Sequence, residues 1–131
     1  MSTKTFHTDF LDEKVDQHIH QRFICLNQDM TITQAVSRLQ QYDLSGQIMY
    51  LYVTDASEAL VGVVPVRRRL GGTPETRIGD VMIPKVITVP SGSTMEQAGD
   101  VLLKHKLLAI PVVDSTGRIT GIADLNHFTD D

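Results

Sequence analysis

Apolar positions along the chain gather into short runs, and the runs come in two sets. Residues 23–26, 48–54 and 60–64 are apolar, β-branched or aromatic, and read as strands. Residues 86–89, 109–113 and 119–123 form the second set. Between the first and second strand of each set the apolar spacing turns helical. Thr31 and Gln34 predict a capping box, with Ala35, Val36 and Leu39 as the buried stripe and the helix failing near residues 43–46. Thr94 predicts the matching cap of a helix that runs to about His105, with Ala98, Val101 and Leu102 inward. Asp55 and residues 114–117 supply turns between the later strands. Pro65 is expected to stop one strand and open a helix over residues 66–70. Residues 71–74 break that helix and mark a linker. Residues 78–82 are a short apolar segment leading into the second set, and Asp124 is placed to cap a last helix. Upstream, residues 1–8 are polar. Phe10, Leu11, Val15 and Ile19 predict an amphipathic helix over residues 9–20 that belongs to neither set.

The two sets are copies of one pattern. Thr31, Gln34 and Ala35 in residues 23–64 line up with Thr94, Gln97 and Ala98 in residues 86–123. Asp55 and Gly62 line up with Asp114 and Gly121 at identical spacing. A duplication of this kind predicts an α/β (α+β) fold of two β-α-β-β-α units, related by a pseudo-twofold axis, with helices covering small sheets. Ile24 should correspond to Ile87, and Gly62 to Gly121. The expected boundaries are an N-terminal helical extension at 1–20, a first domain at 21–76 and a second at 77–131. Two similar halves make paired clefts, which suit a sensor or adaptor better than a catalyst.

Composition narrows this modestly. The chain has 131 residues, enough for one compact domain or two small halves. Its net charge of −4 argues against a nucleic-acid partner, which needs a basic face. Cys25, the one cysteine, lies in an apolar run and reads as a small core residue. No apolar run reaches membrane-spanning length and none resembles a signal peptide, so a soluble, cytoplasmic chain is expected. Nucleophile elbows, phosphate-binding P-loops and Cys/His clusters are not found in the sequence, and no enzymatic activity is expected.

The segments Ile78-Gly-Asp-Val-Met82, Leu107 to Asp114 and Gly117 to Ala123 closely resemble a tandem pair of cystathionine-β-synthase (CBS) domains, a Bateman module, over about residues 21–128. Tyr50 to Val53, Leu60 to Arg69 and Phe128 to Asp131 look more narrowly like the cytoplasmic CBS region of MgtE-type magnesium transporters. The resemblance implies a regulatory module that pairs into homodimers. It also implies an adenine nucleotide (AMP, ADP or ATP) or Mg2+ as ligand, and a membrane transport domain following in a parent protein. The sequence leaves open whether the chain is part of such a transporter or a stand-alone relative. Met82, Ile83, Leu103, Leu107 and Phe128 are the apolar positions offered for a dimer contact. The alternative reading is a structural dimerisation module whose clefts are filled by its own side chains.

In that family a Gly-x-x-Ser/Thr-x-x-Asp pattern holds phosphate and ribose. Here Pro65 and Arg68 follow Gly62 at those places, and Asp124 and His127 follow Gly121. Neither copy keeps the ribose-binding carboxylate. The resemblance places an adenine ring beside Ala109, Ile110 and Pro111, where small side chains leave room. The candidate ligand residues are Thr88, Ala109, Ile110, Pro111, Asp124 and His127, with Arg67 and Arg68 near phosphates. The plainer reading of the basic run 67–69 is a solvated or dimer-facing patch. In the first copy Tyr50 and Tyr52 are expected to fill the corresponding pocket rather than stack on a ligand. Acidic residues cluster at Asp9, Asp12, Glu13 and Asp16, and at Asp130 and Asp131, which suits Mg2+. The plainer reading of the first cluster is the polar face of a helix, and no residue is assigned to a metal. His18 and His20 lie on different helix faces and make a poor chelate.

Overall fold

The structure of the chain, a computed structural model, describes residues 10–42, 50–65 and 73–125. The expected helices over 66–70 and after Asp124 lie outside the described residues. Contacts divide the chain into two compact units. One is Arg22–Val86; the other joins Met1–Gln21 to Ile87–Asp131.

In the first-copy unit, β1 (Ile24–Asn27) runs parallel to β2 (Tyr50–Thr54), and β2 pairs antiparallel with β3 (Leu60–Pro65) in the order β1-β2-β3. The α1 helix (Ile32–Leu39) sits between β1 and β2 in sequence, since a parallel pair needs a crossover. Alternation decides which strand residues face inward. Leu51, Val53 and Val64 join Ile24, Leu26, Ala35 and Ile78 in one buried cluster. Tyr52, on the other face of β2, is also buried and meets Phe23 edge-on at 6.2 Å between ring centres. The tyrosine is thus packed against Phe23. Val36 was expected inward but is 43% exposed. Ala35 takes the core-facing position of α1, so its neighbour in sequence is turned away.

The second-copy unit repeats this plan. Its strands are β4 (Val89–Pro90), β5 (Ala109–Val113) and β6 (Ile119–Asp124), in the order β4-β5-β6, with α2 (Met95–Lys104) between β4 and β5. Its core is Val15, Val89, Met95, Ala98, Leu102, Ile110, Val112 and Ala123. Each large apolar side chain among them, fully buried, contributes about 1.5–3 kcal/mol. The registers match between the copies: Leu26 pairs with Val53, which faces Gly62, and Val89 pairs with Val112, which faces Gly121. Ile24 and Ile87 therefore correspond by register, although Ile87 precedes β4 and is exposed. Pro111 stands in β5 where β2 has Tyr52. A proline has no N–H to give a neighbouring strand, which accounts for the shorter β4. Both helices carry the same capping box. Thr31 Oγ1 accepts from the Gln34 amide at 3.2 Å and Gln34 Oε1 from the Thr31 amide at 2.9 Å; Thr94 and Gln97 repeat both distances.

The largest departure from the sequence reading lies at residues 10–20. They form a strap around a single 3-10 turn, Val15–Gln17, rather than an amphipathic helix. The reason is that neighbours claim the backbone groups a helix would use internally. The Val15 amide donates to Ser93 O at 2.7 Å and the His20 amide to Ile122 O at 2.9 Å. The Glu13 and Leu11 carbonyls accept from the Met95 and Glu96 amides, satisfying two orphan donors in the first turn of α2. In the other unit, residues 74–83 do the same for α1. Thr76 O and Pro74 O accept from the Ile32 and Thr33 amides, and Ile78–Asp80 forms the 3-10 turn. Residues 10–20 therefore belong to the repeat. Each copy's strap precedes it in sequence and completes the unit of the other copy. Residues 77–86, expected at the start of the second domain, accordingly group with the first-copy unit.

Candidate ligand site

The expected ligand residues can be placed on the β4-β5-β6 sheet. Val89, Ile110 and Val112 point into the core, so alternation puts Ala109 and Pro111 on the opposite face, while Thr88 immediately precedes β4. On β6, Ala123 is in the core, so Ile122 and Asp124 share the opposite face too. Ala109 lies directly across from Asp124, and the Leu125 amide extends this ladder to Leu108 O at 2.9 Å. Thr88, Ala109 and Asp124 are half-buried, whereas Pro111 and Ile122 are buried. Ile110 is the correction. Its side chain is fully buried in the core, because it sits one residue off the face that Ala109 and Pro111 share. It cannot line a cleft with its side chain. Arg67, Arg68 and His127 lie outside the described residues.

Sequence reasoning missed the partner of Asp124. His20 Nε2 lies 3.1 Å from Asp124 Oδ2, with side-chain exposures of 19% and 20%. The backbone brings them together: His20 forms a bridge with Ile122 on β6, two residues before Asp124. The first-copy unit differs here. Its bridge joins Ile83 to Val63, and its β2–β3 ladder ends with Tyr50 opposite Pro65. A polar pair thus occupies one unit where the other has Ile83 and a proline. The signal was available in the sequence once the straps are aligned, since Lys14, Val15 and Ile19 match Arg77, Ile78 and Met82 in spacing.

The remaining polar groups are accounted for by local structure. The Asp16 carboxylate accepts from Ser91 Oγ at 2.5 Å and from the Gly92 amide at 2.7 Å, fixing the β4–α2 turn. The Ser91 hydrogen bond holds its carboxyl below the usual value, against a smaller opposing effect of burial. The Asp114 carboxyl is lowered mainly by the Thr116 hydroxyl within the β5–β6 turn. Burial pushes the Cys25 thiol up, which suits a packed thiol rather than a nucleophile. His18 Nε2 meets Glu13 Oε1 at 2.6 Å and its ring packs beside Phe10. Asp12, Glu13 and Asp16 lie on the strap, so the helical polar face expected for them does not form. Asp9, Asp130 and Asp131 are outside the described residues. Among the described residues no group of three or more His, Cys, Asp or Glu is arranged to hold a metal.

Comparison with known proteins places this arrangement. Residues 78–130 match the CBS domain family, a regulatory module. The chain is 31% identical over 110 residues to the magnesium transporter MgtE of Bacillus subtilis (strain 168), covering 83% of this chain and 24% of that protein. It is 32% identical over 108 residues to the inosine-5'-monophosphate dehydrogenase of Nitrosopumilus maritimus (strain SCM1), covering 80% of this chain and 22% of the enzyme. The chain thus spans about a quarter of the length of these relatives. The crystal structure of the cytosolic domain of the Mg2+ channel MgtE in complex with ATP shares the fold. Its TM-score is 0.77 at 24% identity, over 91% of this chain and 48% of that one. No helix among the described residues is long and apolar enough to cross a membrane. Duplicated β-α-β-β units, shared register and these relatives together show that the chain is a tandem CBS-domain pair resembling the cytosolic region of MgtE magnesium transporters.

Proposed function

We propose that the chain is the ligand-sensing part of a magnesium-transport protein, acting in the cytoplasm, and that it binds an adenine nucleotide on the Ala109–Asp124 edge of the second-copy unit. The observation that carries this is the difference between two otherwise matching units. One edge pairs a small Ala109 with a carboxylate and an imidazole; its counterpart offers Tyr50, Pro65 and Ile83. A small side chain leaves room for a flat ring, and polar neighbours can orient it. Arg67 and Arg68 are proposed as phosphate contacts and His127 as the ribose contact. Binding shifts the population between two arrangements of the module, by as much as the ligand's affinity differs between them. Nucleotide binding by the MgtE cytosolic domain supports the choice of ligand, and similarity to MgtE supports both a linked membrane transport domain and Mg2+ as a second effector.

The test is calorimetric titration with ATP, AMP and adenosine, with and without Mg2+. Millimolar or tighter binding is expected, with Arg68→Ala weakening ATP more than adenosine, because only the phosphates meet a guanidinium. Equal affinities unchanged by Arg68→Ala would remove the phosphate contact.

A second reading has its own observation. Leu103 and Leu108 are 59% and 56% exposed, and Val36 and Ile83 are exposed as well. Burial of such side chains against a second copy would be favourable. The exposure supports homodimerisation, and by itself it supports a structural module without a ligand. Sedimentation at tens of micromolar should show a dimer. A dimer that binds none of the nucleotides at millimolar concentration favours the structural reading.

A further inference from the structure

The Asp124 carboxylate belongs to two elements at once. It closes the β5–β6 edge opposite Ala109, and it meets His20 on the strap. The strap is joined to the same sheet on both sides of that contact. Ile19 lies over Gly121, which has no side chain to hold it off, and the His20 amide and carbonyl both bond to Ile122. At its other end Val15 is buried in the core and Asp16 holds the Ser91–Gly92 turn. A change at Asp124 therefore reaches the strap through the His20 side chain and an adjacent backbone bridge. No imidazole–carboxylate pair can form at the matching place on the other strap, where Ile83 stands for His20.

We infer that His20 is a positioning residue for the ligand edge, and that through it occupancy of that edge sets how firmly the strap is held. The inference rests on the proposed nucleotide site. With His20 in place, one carboxylate oxygen of Asp124 is fixed, and the carboxylate is held in one orientation beside Ala109. A donor group on the ligand then meets an acceptor that is already oriented, and less freedom is lost on binding. Linkage requires the reverse effect in the same measure: a ligand that engages Asp124 tightens the His20 contact and the strap behind it. Signals from the site thereby leave the module through the segment that precedes residue 20, and the residue 77–83 strap stays silent.

Hydrogen exchange on the whole chain, with and without saturating ATP, reads this directly. ATP should slow exchange of the His20 and Val15 amides by about five-fold, a typical allosteric coupling, and leave the Ile83 amide on the other strap unchanged. Calorimetry on variants supplies the reciprocal measurement. His20→Ala should weaken ATP binding by a similar factor. His20→Gln, whose amide can still donate to the carboxylate, should recover much of it. Circular dichroism and the Ile83 amide report whether either variant has lost its fold; if His20→Ala has, the His20→Gln affinity and the wild-type exchange data decide. ATP binding with strap exchange unchanged and with His20→Gln and His20→Ala at wild-type affinity would overturn the inference while the nucleotide site stands. Absence of any ATP binding would remove both.

Discussion

A Cβ added at Gly121 would lie 2.5 Å from Ile19 Cδ1 and 2.9 Å from Ile19 Cβ; one added at Gly62 would overlap Met82 Sδ and lie 3.1 Å from Ile83 O. Both glycines let a strap pass close over the third strand. Overpacking of this kind costs typically about 1–3 kcal/mol. Gly121→Ala should lie toward the upper end, about 3 kcal/mol, because Ile19 Cβ is fixed to the backbone. In Gly62→Ala the Met82 side chain can swing away from the added methyl group, so that variant should lose less. Urea unfolding of both variants checks the order, and Ile19→Ala should relieve much of the Gly121→Ala defect. The turn residues make a second comparison. Gly117 has φ 86° and its counterpart Glu58 has φ 68°. The left-handed region costs a non-glycine residue about 1 kcal/mol. Gly117→Ala should therefore lower stability by about that amount. Glu58→Gly should raise it by less, since glycine also gains freedom in the unfolded chain. A Glu58→Gly variant less stable than the wild type would contradict this.

At the scale of elements, the strap is held by charge as well as by packing. The folded-state pKa of Asp16 lies below its ordinary value of 3.8. The stability it contributes is therefore present above that value and is lost as pH falls through the lower folded value. Asp16→Asn should be less stable than the wild type at neutral pH, and the gap should close as pH falls below the ordinary carboxylate range. Denaturant midpoints across that window measure it; a gap independent of pH would show that the carboxylate's charge does not matter. The capping boxes were legible in the sequence because Thr-x-x-Gln is a local rule, satisfied within a single turn. Either Thr31→Ala or Thr94→Ala should cost about 1 kcal/mol, read from the same midpoints. The strap was misread for the complementary reason. Phe10, Leu11, Val15 and Ile19 have helical spacing, but Ser93, Met95, Glu96 and Ile122 take the backbone groups that a helix needs.

For the whole molecule, the exchanged straps mean that the sequence boundaries do not cut it into stable pieces. A fragment of residues 21–76 lacks Ile78, which is fully buried in the first-copy core. It also lacks the chain that covers Gly62. The loss of Ile78 alone removes about 2 kcal/mol or more of burial, so this fragment should unfold readily while residues 22–86 should retain a cooperative transition. Thermal melts of both fragments decide; equal midpoints would show that residues 77–86 are dispensable. Deleting residues 1–21 should likewise loosen the second-copy unit by removing Val15 and the acceptors for the first turn of α2.

The duplication, five of the six strands, both helix caps and the β5–β6 turn were determined by the sequence itself, because each depends on periodicity or on contacts a few residues long, whereas the strand expected over residues 86–89 forms only at Val89–Pro90. The face that Ala109 and Asp124 share also follows from alternation along strands the sequence located. Three features were decided only by the tertiary structure. Ile110 enters the core, because the register of β5 sets which face is inside. Residues 10–20 complete the unit of the second copy, because their hydrogen-bond partners lie far along the chain, on β6 and at the start of α2. His20 meets Asp124 across a separation of 104 residues. No local rule reaches that far, and the pairing exists only once the strap crosses β6.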